Sequence, residues 1–156
     1  MSEKLSITNR ITGDEAHISL VGVIDEDANF DKIKALKMGH YIFDFNSVNM
    51  INSCGIREWI KYLQEIEGAT ISYINCPQII IEQVNMVHGF IRKGITVSSF
   101  FAPYFCSTCD TGKKILLKNA EVTGTKPPVK LCNTCSNELE FDAIEKQYFS
   151  FLSQGK

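Results

Sequence analysis

The chain has 156 residues, 44% hydrophobic and 22% charged, with 16 basic and 18 acidic side chains and a formal net charge of -2. That length holds one ordinary domain and a small appendage, and the composition excludes a disordered or low-complexity chain. The charge balance gives little general attraction to nucleic acid, and no apolar run approaches the roughly 18 residues that cross a bilayer.

Met1-Ser2-Glu3-Lys4 offers no apolar stretch of a secretory signal, so a cytoplasmic protein with reduced thiols is expected. Residues 16–23 (AHISLVGV) alternate apolar side chains and predict a strand. Asp25-Glu26-Asp27 supplies capping carboxylates before a short helix over about 28–36. Residues 41–45 (YIFDF) predict a buried strand. After Ser53-Cys54-Gly55, the residues Ile56, Trp59, Ile60, Leu63 and Ile66 recur at helical spacing and form the clearest amphipathic helix. Trp59 is expected on its buried stripe.

Residues 69–74 predict another strand. Pro77 and Gly89 bracket a helix over 78–88, with Ile80, Val84 and Val87 as its stripe. Residues 95–101 predict a last strand, closed by Pro103. This alternation implies an α/β class with helices packed on one sheet. The pattern changes after Pro103, which divides the chain into a first domain (1–103), a cysteine-rich unit (104–136) and a helical tail (137–156). Phe141, Ile144, Tyr148, Phe149 and Leu152 mark the tail as amphipathic.

The cysteine-rich unit holds Cys106-Ser-Thr-Cys109 and, 22 residues on, Cys132-Asn-Thr-Cys135. Each Cys-x-x-Cys turn presents two sulfurs on one side, and two facing turns make a tetrahedral four-sulfur site. The reading is a zinc ribbon with one structural Zn2+, all four coordination positions being filled by Cys106, Cys109, Cys132 and Cys135. The intervening 113–118 and 129–131 are expected to pair as a short hairpin. Four free thiols or two disulfides are the competing readings, and iron is a chemical alternative to zinc. Four thiolates and one zinc would shift the net charge from -2 to -4.

Cys54 and Cys76 stand alone and are expected to be buried packing residues. His17, His40 and His88 form no ligand or triad pattern. Phosphate loops, nucleophile elbows and paired-carboxylate motifs are missing from the sequence, so no catalysis is expected. The run Phe100-Phe-Ala-Pro-Tyr-Phe105 is read as interdomain packing, against the alternative of stacking bases.

The segment 43–56, Phe-Asp-Phe-Asn-Ser-Val-Asn-Met-Ile-Asn-Ser-Cys-Gly-Ile, resembles the signature of STAS domains, the anti-sigma-factor antagonist modules of bacterial regulators. In that family a buried strand, an aspartate, a loop and a hydrophobic residue precede Asp-Ser-Ser/Thr-Gly at a helix start. Asp44 matches the strand-end aspartate, Ile51 the hydrophobic position, Ser53 the phosphoacceptor and Gly55 the glycine. Gly22-Val-Ile-Asp25 resembles the family's second strand and its exit. Asn52 departs from the pattern, standing where phospho-regulated members carry aspartate.

The resemblance implies a STAS-like sheet with helices packed on it, followed by the zinc ribbon and a C-terminal helix. It implies a non-enzymatic signalling protein that docks on a kinase-like anti-sigma factor, which phosphorylates the serine. Asn52 and Ser53 acting purely as helix caps is the other reading of the loop. Competing functions are a nucleic-acid-binding ribbon, supported by the +3 side-chain charge of 104–136, and a small-ligand sensor.

Overall fold

The computed structural model describes residues 4–87 and 89–153. Strands β1 (Ser6–Thr12) and β2 (Glu15–Ile24) form an antiparallel hairpin, turned at Gly13 with φ +61°. Strands β3 (His40–Ile51), β4 (Thr70–Ile74) and β5 (Ile95–Val97) add in parallel, giving a mixed sheet of order β1-β2-β3-β4-β5. The connections carry α1 (Asp31–Lys34), α2 (Ser53–Glu65) and α3 (Gln78–Met86).

Strand alternation decides what the sheet buries. Ala16, Ile18 and Leu20 of β2, Tyr41, Phe43 and Phe45 of β3, and Ile71 and Tyr73 of β4 are all buried. Trp59, Tyr62 and Leu63 of α2 cover them, the spacing of 3 to 4 residues keeping one helix face inward. Trp59 stands edge-on to Phe43 at 4.8 Å and to Phe30 at 5.3 Å. Its Nε1–H donates to Tyr73 Oη at 3.2 Å, and Tyr73 donates on to the Phe90 carbonyl at 2.8 Å. The buried hydroxyl and indole are thereby satisfied, and burial raises the Tyr73 pKa far above the ordinary phenol value.

Several elements differ from the sequence expectations. β1 is a strand that the sequence reading missed: its alternation is diluted by Thr8, Asn9 and Arg10, and Ile7 is its one fully buried side chain. The helix expected over 28–36 is a single turn, because Asn29 and Phe30 stay non-helical and the Asn29 side chain accepts from Asp31 N–H. β3 runs to Ile51, seven residues past Asp44, because β2 continues to pair with it through two register shifts. Asp44 is therefore not at the strand end, though β4 stops pairing there. α3 ends at Met86; His88 lies outside the described residues.

A second sheet of order β7-β6-β8 holds the cysteine-rich region, with β6 (Ser99–Cys106), β7 (Thr111–Lys118) and β8 (Glu140–Phe141) all antiparallel. Pro103 does not close the preceding strand; β6 passes through it. The Pro103 carbonyl accepts from Asp142 N–H at 2.9 Å, so the missing N–H also faces the β8 side, where that two-residue strand has ended. β7 pairs with β6 rather than with 129–131, so the expected hairpin within the insert is not formed. The tail is not one amphipathic helix. It comprises β8, a one-turn α4 (Glu145–Tyr148) and a 3-10 turn (Phe149–Ser153), with Ile144 exposed. Phe149 and Phe151 nevertheless pack edge-on to Phe100, and the Tyr148 hydroxyl donates to the Phe101 carbonyl at 2.6 Å.

Candidate functional site

The inner face of β6 buries Phe100, Ala102, Tyr104 and Cys106 at every second position. Cys106 thus enters the cysteine site from the end of a rigid strand. The β6–β7 hairpin then turns through 107–110, which carries Cys109, and Cys106 pairs with Thr111. The second turn is built the same way. Leu131 bridges Glu138, Cys132 N–H donates to the Asn137 carbonyl at 2.8 Å, and the turn between them carries Cys135.

Each turn also has a left-handed residue just after its second cysteine, Asp110 at φ +54° and Ser136 at φ +65°. Short polar side chains tolerate that conformation. Sequence reading missed these two positions, because a glycine usually signals such a turn and neither turn has one. Asn137 Nδ2 donates to Thr108 Oγ1 at 2.8 Å and ties the two turns together.

All four Sγ atoms lie within 4.8 Å of one another, with Cys106 and Cys132 buried and Cys109 and Cys135 half-buried. Cys106 and Cys135 Sγ are 3.4 Å apart, and Cys109 and Cys132 Sγ 4.0 Å. A tetrahedron with metal–sulfur bonds of about 2.3 Å has sulfur–sulfur edges of about 3.8 Å, so the two separations bracket the requirement. No disulfide joins any of these cysteines.

Backbone N–H groups aim at the sulfurs: Cys109 N–H donates to Cys106 Sγ at 3.3 Å and Thr134 N–H to Cys132 Sγ at 3.4 Å. Such donors favour thiolate. The N–H groups of Cys135 and Thr134 hold the Cys132 thiol down at about 6, whereas Cys109, hydrogen-bonded through its own thiol to Cys135 and Cys106, is pushed up to about 12. A thiol whose anion is already favoured by backbone N–H donors gives up its proton to a metal more readily than an ordinary cysteine. The group could hold a metal ion with no position left for water or substrate.

The second candidate site is the start of α2. Asn52, in extended conformation, accepts the Gly55 N–H on Oδ1 at 2.9 Å and donates from Nδ2 to Glu26 Oε2 at 3.1 Å. That bond and a backbone hydrogen bond keep the Glu26 carboxyl below its ordinary range, the backbone contribution being the larger. Asn52 is therefore the cap. Ser53, exposed in the first helical turn, has no side-chain hydrogen bond among the described residues.

Gly55 is fixed by close approach. A Cβ there would stand 2.2 Å from the Ile24 carbonyl oxygen, so the helix start lies directly on the end of β2. Cys54, expected to be buried, is exposed on this turn, whereas Cys76 is fully buried. Between α2 and α3 runs a groove of about 780 Å³, with Ser53 at its edge and Ile56, Ile60, Arg57, Lys61 and Val87 among its walls. Arg57 follows Ser53 by one helical turn, a neighbour that the i, i+4 spacing gives from sequence but that was not singled out there.

Asp44 is not part of this site. It accepts from Asn46 N–H and from Asn75 Nδ2, at 2.9 and 3.2 Å, away from the α2 start. No protein-family model matches this chain, and no curated protein matches its sequence.

Proposed function

We propose that this chain is a non-enzymatic regulatory protein of the STAS type, working by protein–protein contact at the start of α2, with one structural zinc in its cysteine cluster. The observation that carries the contact site is the division of labour between neighbours. Asn52 caps the helix and leaves the exposed Ser53 hydroxyl without a structural task. A phosphate on Ser53 would add about -1.5 to -2 charge beside helix N–H groups and one turn from Arg57. Glu26 opposes it from the side, so the modification would change the local field sharply.

Zinc is the metal that the donor set favours, since four thiolates in a tetrahedron suit Zn2+ and fill its coordination shell. Its role is structural: it joins the two turns, and no reaction step passes through it. The partner proposed is a kinase-like anti-sigma factor in the cytoplasm. The test is mass spectrometry of the protein recovered from its native cells, with and without phosphatase treatment. Phosphate on Ser53, together with a partner retained by the unmodified form and lost by the phosphorylated form, is the expected result. A partner retained equally by both forms would overturn the switch.

A further inference from the structure

The aromatic run of β6 is split by the strand's own alternation. Phe100 and Tyr104 face inward and are buried, and they pack against Phe149, Phe151 and Phe141. Phe101, Pro103 and Phe105 point to the other face and stay half-buried. Neither Phe101 nor Phe105 makes a ring pair with any described aromatic. They belong to no packed core, although seven of the eight β6 positions have strong apolar character.

The strands flanking β6 give this outer face a polarity. On β7, Leu116 stands opposite Phe101, Lys114 opposite Pro103 and Lys118 opposite Ser99; Leu116 is 45% exposed. On the β8 side, Glu140 stands opposite Phe105, and Asp142, two residues on, is also exposed. The face is an aromatic ridge with a basic edge and an acidic edge. The two edges are two strand spacings apart, about 10 Å, too far for ion pairs across the ridge. None of the four charged side chains is in a salt bridge among the described residues.

A polyanion would meet the two carboxylates, and an acidic peptide would meet them as well. The partner that fits has an apolar ridge with its acids and bases transposed, and a second copy turned over supplies that. We infer that this face is a self-association surface, on which two copies of the chain pack sheet to sheet about a two-fold axis parallel to β6. That axis keeps every residue at its own level along β6, so it lays Lys114 of each copy over Asp142 of the other, with Glu140 one pleat further along and Phe101, Pro103 and Phe105 meeting their equivalents in the middle; Lys118, level with Ser99, adds positive charge to the basic edge without an acid directly opposite. The perpendicular axis would set lysine on lysine. The inference goes beyond the regulatory reading and does not depend on it.

Three strands of at most eight residues give a face of about 26 by 14 Å, below the size of a standard interface, so the dimer is weak and forms only as concentration rises. Sedimentation equilibrium of the full chain should show the mass rising from 17.6 kDa toward twice that value as concentration increases. Phe101→Ser with Phe105→Ser should lower the association constant by about tenfold or more, with circular dichroism unchanged.

The decisive arm uses charge. Lys114→Glu with Lys118→Glu makes one all-acidic chain, and Glu140→Lys with Asp142→Lys makes one all-basic chain. Each alone should stay monomeric, and an equimolar mixture should recover dimers at least as tight as the wild type, because both edge contacts are then complementary. Surface charges are replaced without loss of core contacts, so this arm stands if the phenylalanine variant misfolds. A chain that remains at 17.6 kDa to about 200 µM, a dimer indifferent to these substitutions, or charge variants that do not recover on mixing would overturn the inference. So would binding of a single-stranded oligonucleotide to a monomer, abolished by the phenylalanine changes.

Discussion

Gly55 and Asn52 divide the start of α2 between space and hydrogen bonding. Gly55→Ala places a methyl carbon 2.2 Å from the Ile24 carbonyl oxygen and 2.8 Å from Asp25 N, both backbone atoms that cannot swing aside. The helix must lift off β2 or the strand end must move, so a loss of about 1–3 kcal/mol is expected in urea unfolding. Tyr62 makes the opposite case. Its ring is fully buried beneath Phe30 and Trp59, and its hydroxyl has no partner among the described residues. Burial drives its pKa well above the ordinary phenol range. An unpaired buried hydroxyl costs free energy, so Tyr62→Phe should leave stability unchanged or raise it by up to about 1 kcal/mol, measured in the same unfolding experiment. A clear destabilisation would show that the hydroxyl finds a hydrogen-bond partner in solution.

At the scale of elements, the cysteine spacing carried the four-cysteine cluster and α2 carried the packing, because both are local patterns: two three-residue steps and a 3.6-residue period. What escaped the sequence was set at long range. β6 extends through Pro103 only because β8 ends where the proline lacks its donor, and β7 folds back on β6 across the 107–110 turn, which leaves 129–131 without the pairing expected of it. The tail's apolar residues were legible but their helix was not, since Phe149 and Phe151 are held by Phe100 rather than by a continuous stripe. The loop chemistry was half legible: Asn and Ser both read as caps, and only geometry assigns the role to Asn52. These elements make a graded prediction for the metal. Protein purified without added zinc should carry close to one equivalent. Cys132→Ser, or a strong chelator, should raise amide exchange through 106–111 and 130–139, where the turns have little core of their own. Protection should persist at Phe101, whose N–H donates to the Cys76 carbonyl, and throughout α2. Protons compete with the metal for thiolate, so the same exchange pattern should appear as pH falls from neutral. Full protection of both turns in metal-free protein would exclude a structural metal.

Over the whole molecule, the two sites stand on separate supports, one on the five-stranded sheet and one on the three-stranded sheet, so a change at Ser53 need not disturb the cysteines. This makes Ser53 separable from stability. Because Asn52 accepts the capping N–H, Asn52→Ala should cost about 0.5–2 kcal/mol, as for other lost caps, while Ser53→Ala should change stability by less than about 0.5 kcal/mol. Ser53→Asp should also fold normally, since an anion in the first turn of a 13-residue helix gains roughly 0.3–1 kcal/mol from the helix dipole. The acidic group of Asp25, Glu26 and Asp27, whose Glu26 accepts from the adjacent Asn52, offsets part of that gain, and the net change in melting temperature should be small. Partner binding should respond in the reverse order. Ser53→Asp, which brings a charge to the rim of the α2–α3 groove, should weaken binding by about tenfold or more, whereas Ser53→Ala should bind as the wild type and lose regulation in the cell. Calorimetric melting of the three variants and titration against the captured partner give both columns of that comparison. If Ser53→Ala melts like Asn52→Ala while Ser53→Asp binds normally, the serine serves the helix and the regulatory reading of this loop fails.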